Sequence, residues 1–159
     1  LILNSPNNPT GAVYTAQELT EIAAICKKYG VIVLSDEIYS QLNFNANYSP
    51  SICTYYPEKT IVFGGLSKVF SAGGYRLGFM SLPKEFNYLE TSFKALFSET
   101  FSSVSSPIQY AAIKAFKMDI KLQLYVEQQS EILKNIAAFV KTELELAQVS
   151  CTKAQGGFI

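Results

Sequence analysis

Three short apolar runs, at 1–4, 31–34 and 60–63, each stop at a cluster of polar or glycine residues. Runs of this length, rich in β-branched residues, fit strands buried inside a sheet. The segment between the first two reads as a single helix. Thr15 is a good N-cap and Glu18 stands three residues on, a capping box. Leu19, Ile22, Ala23 and Cys26 follow at helical spacing, and Gly30 ends the helix. Strand, helix, strand is the order of an open α/β sheet, and such sheets place ligands beyond the carboxyl ends of their parallel strands. A further run at 77–82 reads as one more strand. Asn8, Asp36 and Lys68 each fall just after a predicted strand, which groups them into one site.

The second half is mostly helical. Residues 86–97 are one candidate. Pro107 opens another at its first turn, with Ile108, Ala111, Ala112 and Ala115 on one face. Asp119 caps a longer helix whose apolar stripe is Ile120, Leu124, Ile132, Ile136, Phe139 and Val140. A helix of about 25 residues spans roughly 40 Å, enough to bridge two domains. Residues 149–152 begin a strand of the second. The division expected is 1–118 for part of a large domain, 119–147 for the connecting helix and 148–159 for the start of a smaller domain. The chain opens on leucine inside a strand-like run, and Gly157-Phe158-Ile159 reads as another strand starting. An interior piece of a longer protein is therefore expected.

Composition narrows the chemistry. Formal net charge is zero, with lysines and acids interspersed, so no basic stripe points to nucleic acid and no lysine cluster points to lipid. Cys26, Cys53 and Cys151 lack metal-ligand spacing and read as reduced thiols of a cytoplasmic protein. The chain has no histidine, which removes the usual general base, the commonest metal ligand and the Ser-His triad together.

Lys68 and Arg76 lie eight residues apart within a glycine-rich loop, and Arg76 is the only arginine of the chain. A lysine able to form an imine, followed by one guanidinium, is what an aldehyde cofactor carrying a phosphate requires. Taken singly, Lys68 is equally a solvated surface lysine and Arg76 half of a salt bridge. Asp36 can be structural, a metal ligand or the partner of a cationic ring nitrogen. Without histidine or a further acid cluster, the ring nitrogen is the better partner, and a pyridine so protonated draws electrons from a substrate carbanion. Tyr39 can donate to a ring oxygen or be an ordinary half-buried phenol. Asn8 can donate to the same oxygen or be a turn asparagine, which Asn-Pro favours.

Asn8-Pro9-Thr10-Gly11, Asp36-Glu37-Ile38-Tyr39, and Ser67-Lys68 with Arg76 together resemble the signature of class I/II aminotransferases. Gln155-Gly156-Gly157-Phe158 is similar to the small-domain segment of that family, so the resemblance runs over essentially the whole chain. It implies a three-layer α/β/α sandwich with a mostly parallel sheet, part of the large domain of fold-type I enzymes that use pyridoxal 5′-phosphate. It implies that Lys68 holds the cofactor as a Schiff base and moves the α-proton, and that Asp36 pairs with the pyridine nitrogen. Tyr39 and Asn8 then bond the ring oxygen, Arg76 binds the phosphate, and Ser67 or the backbone makes up the phosphate contact that a hydroxyl at position 65 would give. It also implies a cis peptide between Asn8 and Pro9 and a dimer-interface role for residues 102–109. The implied activity is transfer of an amino group from an amino acid to a 2-oxo acid, in amino-acid biosynthesis, by a cytoplasmic homodimer with no nucleic-acid or membrane partner.

Many members carry serine three residues before the lysine, where this chain has Gly65. By the same resemblance a second phosphate loop and a ring-stacking aromatic belong before Leu1, and the arginine for the substrate carboxylate belongs beyond Ile159. The 159-residue chain alone is then not expected to transaminate. The same site would serve a carbon–sulfur β-lyase, an amino-acid-phosphate decarboxylase, or the cofactor-sensing domain of a transcriptional regulator.

Overall fold

A computed structural model describes residues 1–157 of the chain. Its centre is a four-stranded sheet in the order β1-β2-β3-β4, formed by Ile2–Asn4, Val33–Asp36, Thr60–Gly65 and Gly78–Ser81. The first three strands are parallel, with Asn4 opposite Asp36 and Asp36 opposite Phe63. β4 runs antiparallel to β3 and sets Gly65 against Gly78. The link between β3 and β4, residues 66–77, is wound into turns and one 3-10 segment and holds no α-helix, the element that usually carries a parallel return.

Helix α1, Ala16–Tyr29, joins β1 to β2. The capping box is present in full: Thr15 Oγ1 accepts from the Glu18 N–H at 3.2 Å, and Glu18 Oε2 accepts from the Thr15 N–H at 2.8 Å. Gly30 closes the helix at φ 65°, donating to the Cys26 and Lys27 carbonyls. Leu19, Ala23 and Cys26 face the sheet and pack with Leu3, Val33, Ile52 and Tyr56 in one buried cluster. On the opposite face of β1, Ile2 is 77% exposed.

A second cluster forms past β3, where Leu66 and Leu77 meet Ala112 of α3, Ser106–Phe116. Ile108 and Ala115 pack beside them, whereas Ala111, expected on the same face, is exposed. The region expected as a helix over 86–97 divides into a 3-10 segment, Lys84–Leu89, and helix α2, Glu90–Thr100. Asp119 caps the long helix α4, Ile120–Leu146, accepting from the Leu122 N–H at 3.1 Å. The buried residue of α4 is Val126. Ile120, Leu124, Ile132, Ile136, Phe139 and Val140 of the expected stripe are all more than 40% exposed.

Residues 149–152 are irregular, not a strand. Their neighbours Gln155 and Gly156 instead donate to the Gly11 carbonyl, and Gly156 bridges to Asn43. The strand expected over 157–159 falls on residues 158 and 159, which lie outside the described residues, as does Phe158 of the small-domain segment. Among the described residues no helix is long and apolar enough to cross a membrane.

Candidate active site at the carboxyl edge of the sheet

The turn after β1 is built by its asparagines. Asn7 Oδ1 accepts from the Thr10 hydroxyl at 2.7 Å and from the Thr10 N–H at 3.2 Å. The Ser5–Pro6 and Asn8–Pro9 peptides are both cis, the second as expected. Gly11 adopts φ 66°, and a β-carbon there would lie 2.7 Å from that of Ala154. Glycine is therefore required twice, by backbone conformation and by close approach. Asn8 does not stand directly after β1 but four residues beyond it, carried back over the sheet edge by this turn.

Asp36 is the last residue of β2, half-buried, and its Oδ1 accepts from the Ile38 N–H at 3.2 Å. This Asx-type turn swings the chain so that Tyr39 points inward, buried with 4% exposure. Tyr39 is thus a buried ring, not the half-buried phenol expected of the residue type. Asn8 Nδ2 donates to Tyr39 Oη at 3.1 Å. Lys68 Nζ lies 5.6 Å from the centre of the Tyr39 ring, a cation–π distance. Three residues separated by up to 60 positions meet at one phenol.

The loop holding Lys68 is tightly wound. Phe70 N and Ala72 N donate to the Leu66 carbonyl, and Ser71 N donates to that of Lys68. Ser71 and Arg76 both take positive φ, 50° and 55°. Side chains with a β-carbon are held there only by their surroundings, and such positions gather at functional sites. Arg76 is exposed, and its Nη1 donates to the Gly73 carbonyl at 2.8 Å. Gly73 in turn lies beside Ser67, with a β-carbon site 3.9 Å from that of Ser67. Arg76 and Ser67 therefore border the same short loop.

At Gly65 a β-carbon would approach the Leu77 carbonyl to 2.7 Å. The antiparallel partner strand runs close there, with the Gly78 α-carbon 3.0 Å from the same position. Other polar residues reach the site from positions that periodicity does not flag. Asn4 bonds to both Asp36 and the Asn8 segment. Gln129, one turn along α4 from Val126, donates from Nε2 to the Lys68 carbonyl at 3.3 Å. Glu37 accepts from Ser35 at 3.0 Å and Ser51 at 2.5 Å, tying the loop after Asp36 to the core side. The signal for Asn4 is its place at the end of a strand beside the one that ends in Asp36; Gln129 gives none.

The donor set is one primary amine, one carboxylate, one phenol with an amide on it, and one guanidinium. That set fits a phosphorylated pyridine aldehyde: an imine partner, a ring-nitrogen partner, two ring-oxygen donors and a phosphate fork. It fits a metal poorly, and among the described residues no three acids or cysteines cluster in a way that could hold an ion.

Known proteins are similar to this chain in sequence and in fold. The family model "Aminotransferase class I and II" matches residues 1–159. The chain is 35% identical over 162 residues to an aspartate aminotransferase of Geobacillus stearothermophilus, a match over 99% of this chain and 40% of that one. It is 38% identical over 136 residues to aromatic-amino-acid aminotransferase 2 of Thermococcus litoralis, covering 82% of this chain and 33% of the relative. The solved aromatic aminotransferase of Pyrococcus horikoshii superposes with a TM-score of 0.89 at 34% identity, over 99% of this chain and 42% of that one. The chain thus spans 33–42% of the length of these three relatives.

Proposed function

The chain belongs to the class I and II aminotransferase family, and from that premise we propose that the protein moves an amino group from an amino acid to a 2-oxo acid at Lys68. Enzymes of this family depend on pyridoxal 5′-phosphate, and the fold is that of the fold-type I members. The observation that carries the reading is the meeting of Asn8, Tyr39 and Lys68 at one phenol.

When bound, the cofactor supplies an electron-withdrawing ring that stabilises a carbanion at the substrate α-carbon. The chain's own residues hold it and move the proton. Lys68 Nζ would hold the cofactor aldehyde, and its amine would take the proton from the substrate α-carbon. The Asp36 carboxylate would hold the ring nitrogen in its protonated form. Tyr39 Oη accepts from Asn8 Nδ2, which leaves the phenol hydrogen and the second amide hydrogen as the donors that would hold the ring oxygen. Arg76 and Ser67 would hold the phosphate, Arg76 by its two-pronged donor geometry.

The finer reading is a cytoplasmic homodimer of amino-acid biosynthesis. Three unpaired cysteines support a reducing compartment. Phe101, Tyr110 and Ile113, around the stretch 102–109, are each more than half exposed and support a partner surface there. Residues 1–118, 119–147 and 148–159 are read as part of the cofactor-binding domain, a connecting helix and the start of a second domain. The 27-residue length of α4 supports that division.

Borohydride reduction of the full-length protein with pyridoxal phosphate, followed by peptide mass mapping, should place the cofactor on Lys68. Incubation with an amino acid and 2-oxoglutarate should yield the matching 2-oxo acid and glutamate. Release of a thiol or carbon dioxide instead would establish a lyase or decarboxylase, and labelling of another lysine would end the assignment.

A further inference from the structure

Asn8 stands four residues past the end of β1, so no strand ladder holds it. Two prolines flank it, at 6 and 9, and neither has an N–H to anchor the segment. Its backbone N–H donates to Asn4 Oδ1 at 3.0 Å. The same oxygen accepts from Asn7 Nδ2 at 3.1 Å. The other end of the Asn4 amide, Nδ2, donates to the Asp36 carbonyl at 3.2 Å. Asn4 is the register partner of Asp36, so its side chain leaves the sheet at the point where the carboxylate strand ends.

A primary amide has two donors and two acceptor lone pairs on one rigid plane, and here both ends are used. The circuit closes through Asn8 Nδ2 to Tyr39 Oη, and Tyr39 follows Asp36 by three residues. We propose that Asn4 is a positioning residue of the cofactor site, its amide fastening Asn8 to the carboxyl end of β2 so that Asn8 meets the Tyr39 hydroxyl. The proposal rests on the cofactor reading given above. Asparagine is the side chain the geometry calls for. Aspartate keeps the acceptor for Asn8 but has no donor for the Asp36 carbonyl, glutamine displaces the amide by a methylene, and alanine removes every contact.

Two measurements on the full-length protein test it. Hydrogen exchange at the Asn8 amide is read in the cofactor-free protein. The pH midpoint of the absorbance change of bound pyridoxal phosphate is read in the loaded one. Asn4→Ala should speed Asn8 exchange by about tenfold, the worth of one ordinary hydrogen bond. It should move the absorbance midpoint as far as Asn8→Ala does, with the double variant shifting no further, because the two residues act through one contact. Asn4→Asp keeps the acceptor and loses the donor, so it should keep the Asn8 amide protected and still move the absorbance midpoint; a wild-type midpoint in this variant would overturn the assignment. Wild-type exchange and midpoint in a folded Asn4→Ala protein, additive shifts in the double variant, or rapid Asn8 exchange in Asn4→Asp would each overturn the assignment. If Asn4→Ala does not fold, the aspartate variant decides. A wild-type protein that takes up no pyridoxal phosphate would defeat the functional reading, while the exchange data still judge whether Asn4 holds Asn8.

Discussion

One absent β-carbon at Gly65 shapes the loop that carries Lys68. The Leu77 carbonyl occupies the space a side chain would need, at 2.7 Å. Gly65→Ser should therefore destabilise the protein by about 1–3 kcal/mol, the usual cost of forcing atoms into a packed site. Denaturant unfolding measures this, and unchanged stability would show that β4 can move aside. Tyr39 tests the chemistry more directly. Tyr39→Phe keeps the ring beneath Lys68 and removes only the hydroxyl that accepts from Asn8. A lost hydrogen bond to a charged site corresponds to a fall of about 10- to 100-fold in kcat, with covalent attachment at Lys68 retained. Lys68→Ala should abolish attachment and lower kcat at least about 100-fold, as loss of a positioned base does.

At the scale of elements, helix ends were plain from the chain and strand direction was not. Thr15, Glu18 and Gly30 announce both ends of α1, because capping is a contact between residues three or four apart. Thr15→Ala should cost about 1 kcal/mol of stability by thermal or denaturant unfolding. Asp119 announces α4 in the same way. Its carboxyl is held below the ordinary aspartate value by the Lys114 ammonium and then by the Leu122 N–H. A folded value below the unfolded one means the contribution is present above the unfolded pKa and is lost as pH falls through the folded one. Unfolding across the acid range should show that loss in the wild type, and Asp119→Asn should lack this component. By contrast, 149–152 has strand-like residues but pairs with no strand among the described residues, and it is irregular. The stripe on α4 was read correctly as apolar, yet Val126 is the residue that the tertiary contacts bury.

At the scale of the whole molecule, two buried clusters divide the work. One joins α1 to the strands through Leu3, Leu19, Ala23 and Val33; the other joins the loop of Lys68 to α3 through Leu66, Leu77 and Ala112. Leu19 is 1% exposed, and Leu19→Ala should cost about 2–5 kcal/mol. Hydrogen exchange should show that loss throughout β1 and β2, since both strands rest on the same cluster.

The fold class was legible because strand, cap and turn signals are local and each acts within a few residues. Asn8, Asp36, Tyr39, Lys68, Arg76 and Ser67 could be singled out from the chain as residue types that one cofactor could use. The meeting of Asn8, Tyr39 and Lys68 at a single phenol, the hold of Gln129 on the Lys68 carbonyl, and the Asn4 amide between two strand ends were decided by the tertiary structure. Hydrogen bonds form wherever folding brings donor and acceptor together, and across 32 positions from Asn4 to Asp36 or 61 from Lys68 to Gln129 no local pattern records that approach.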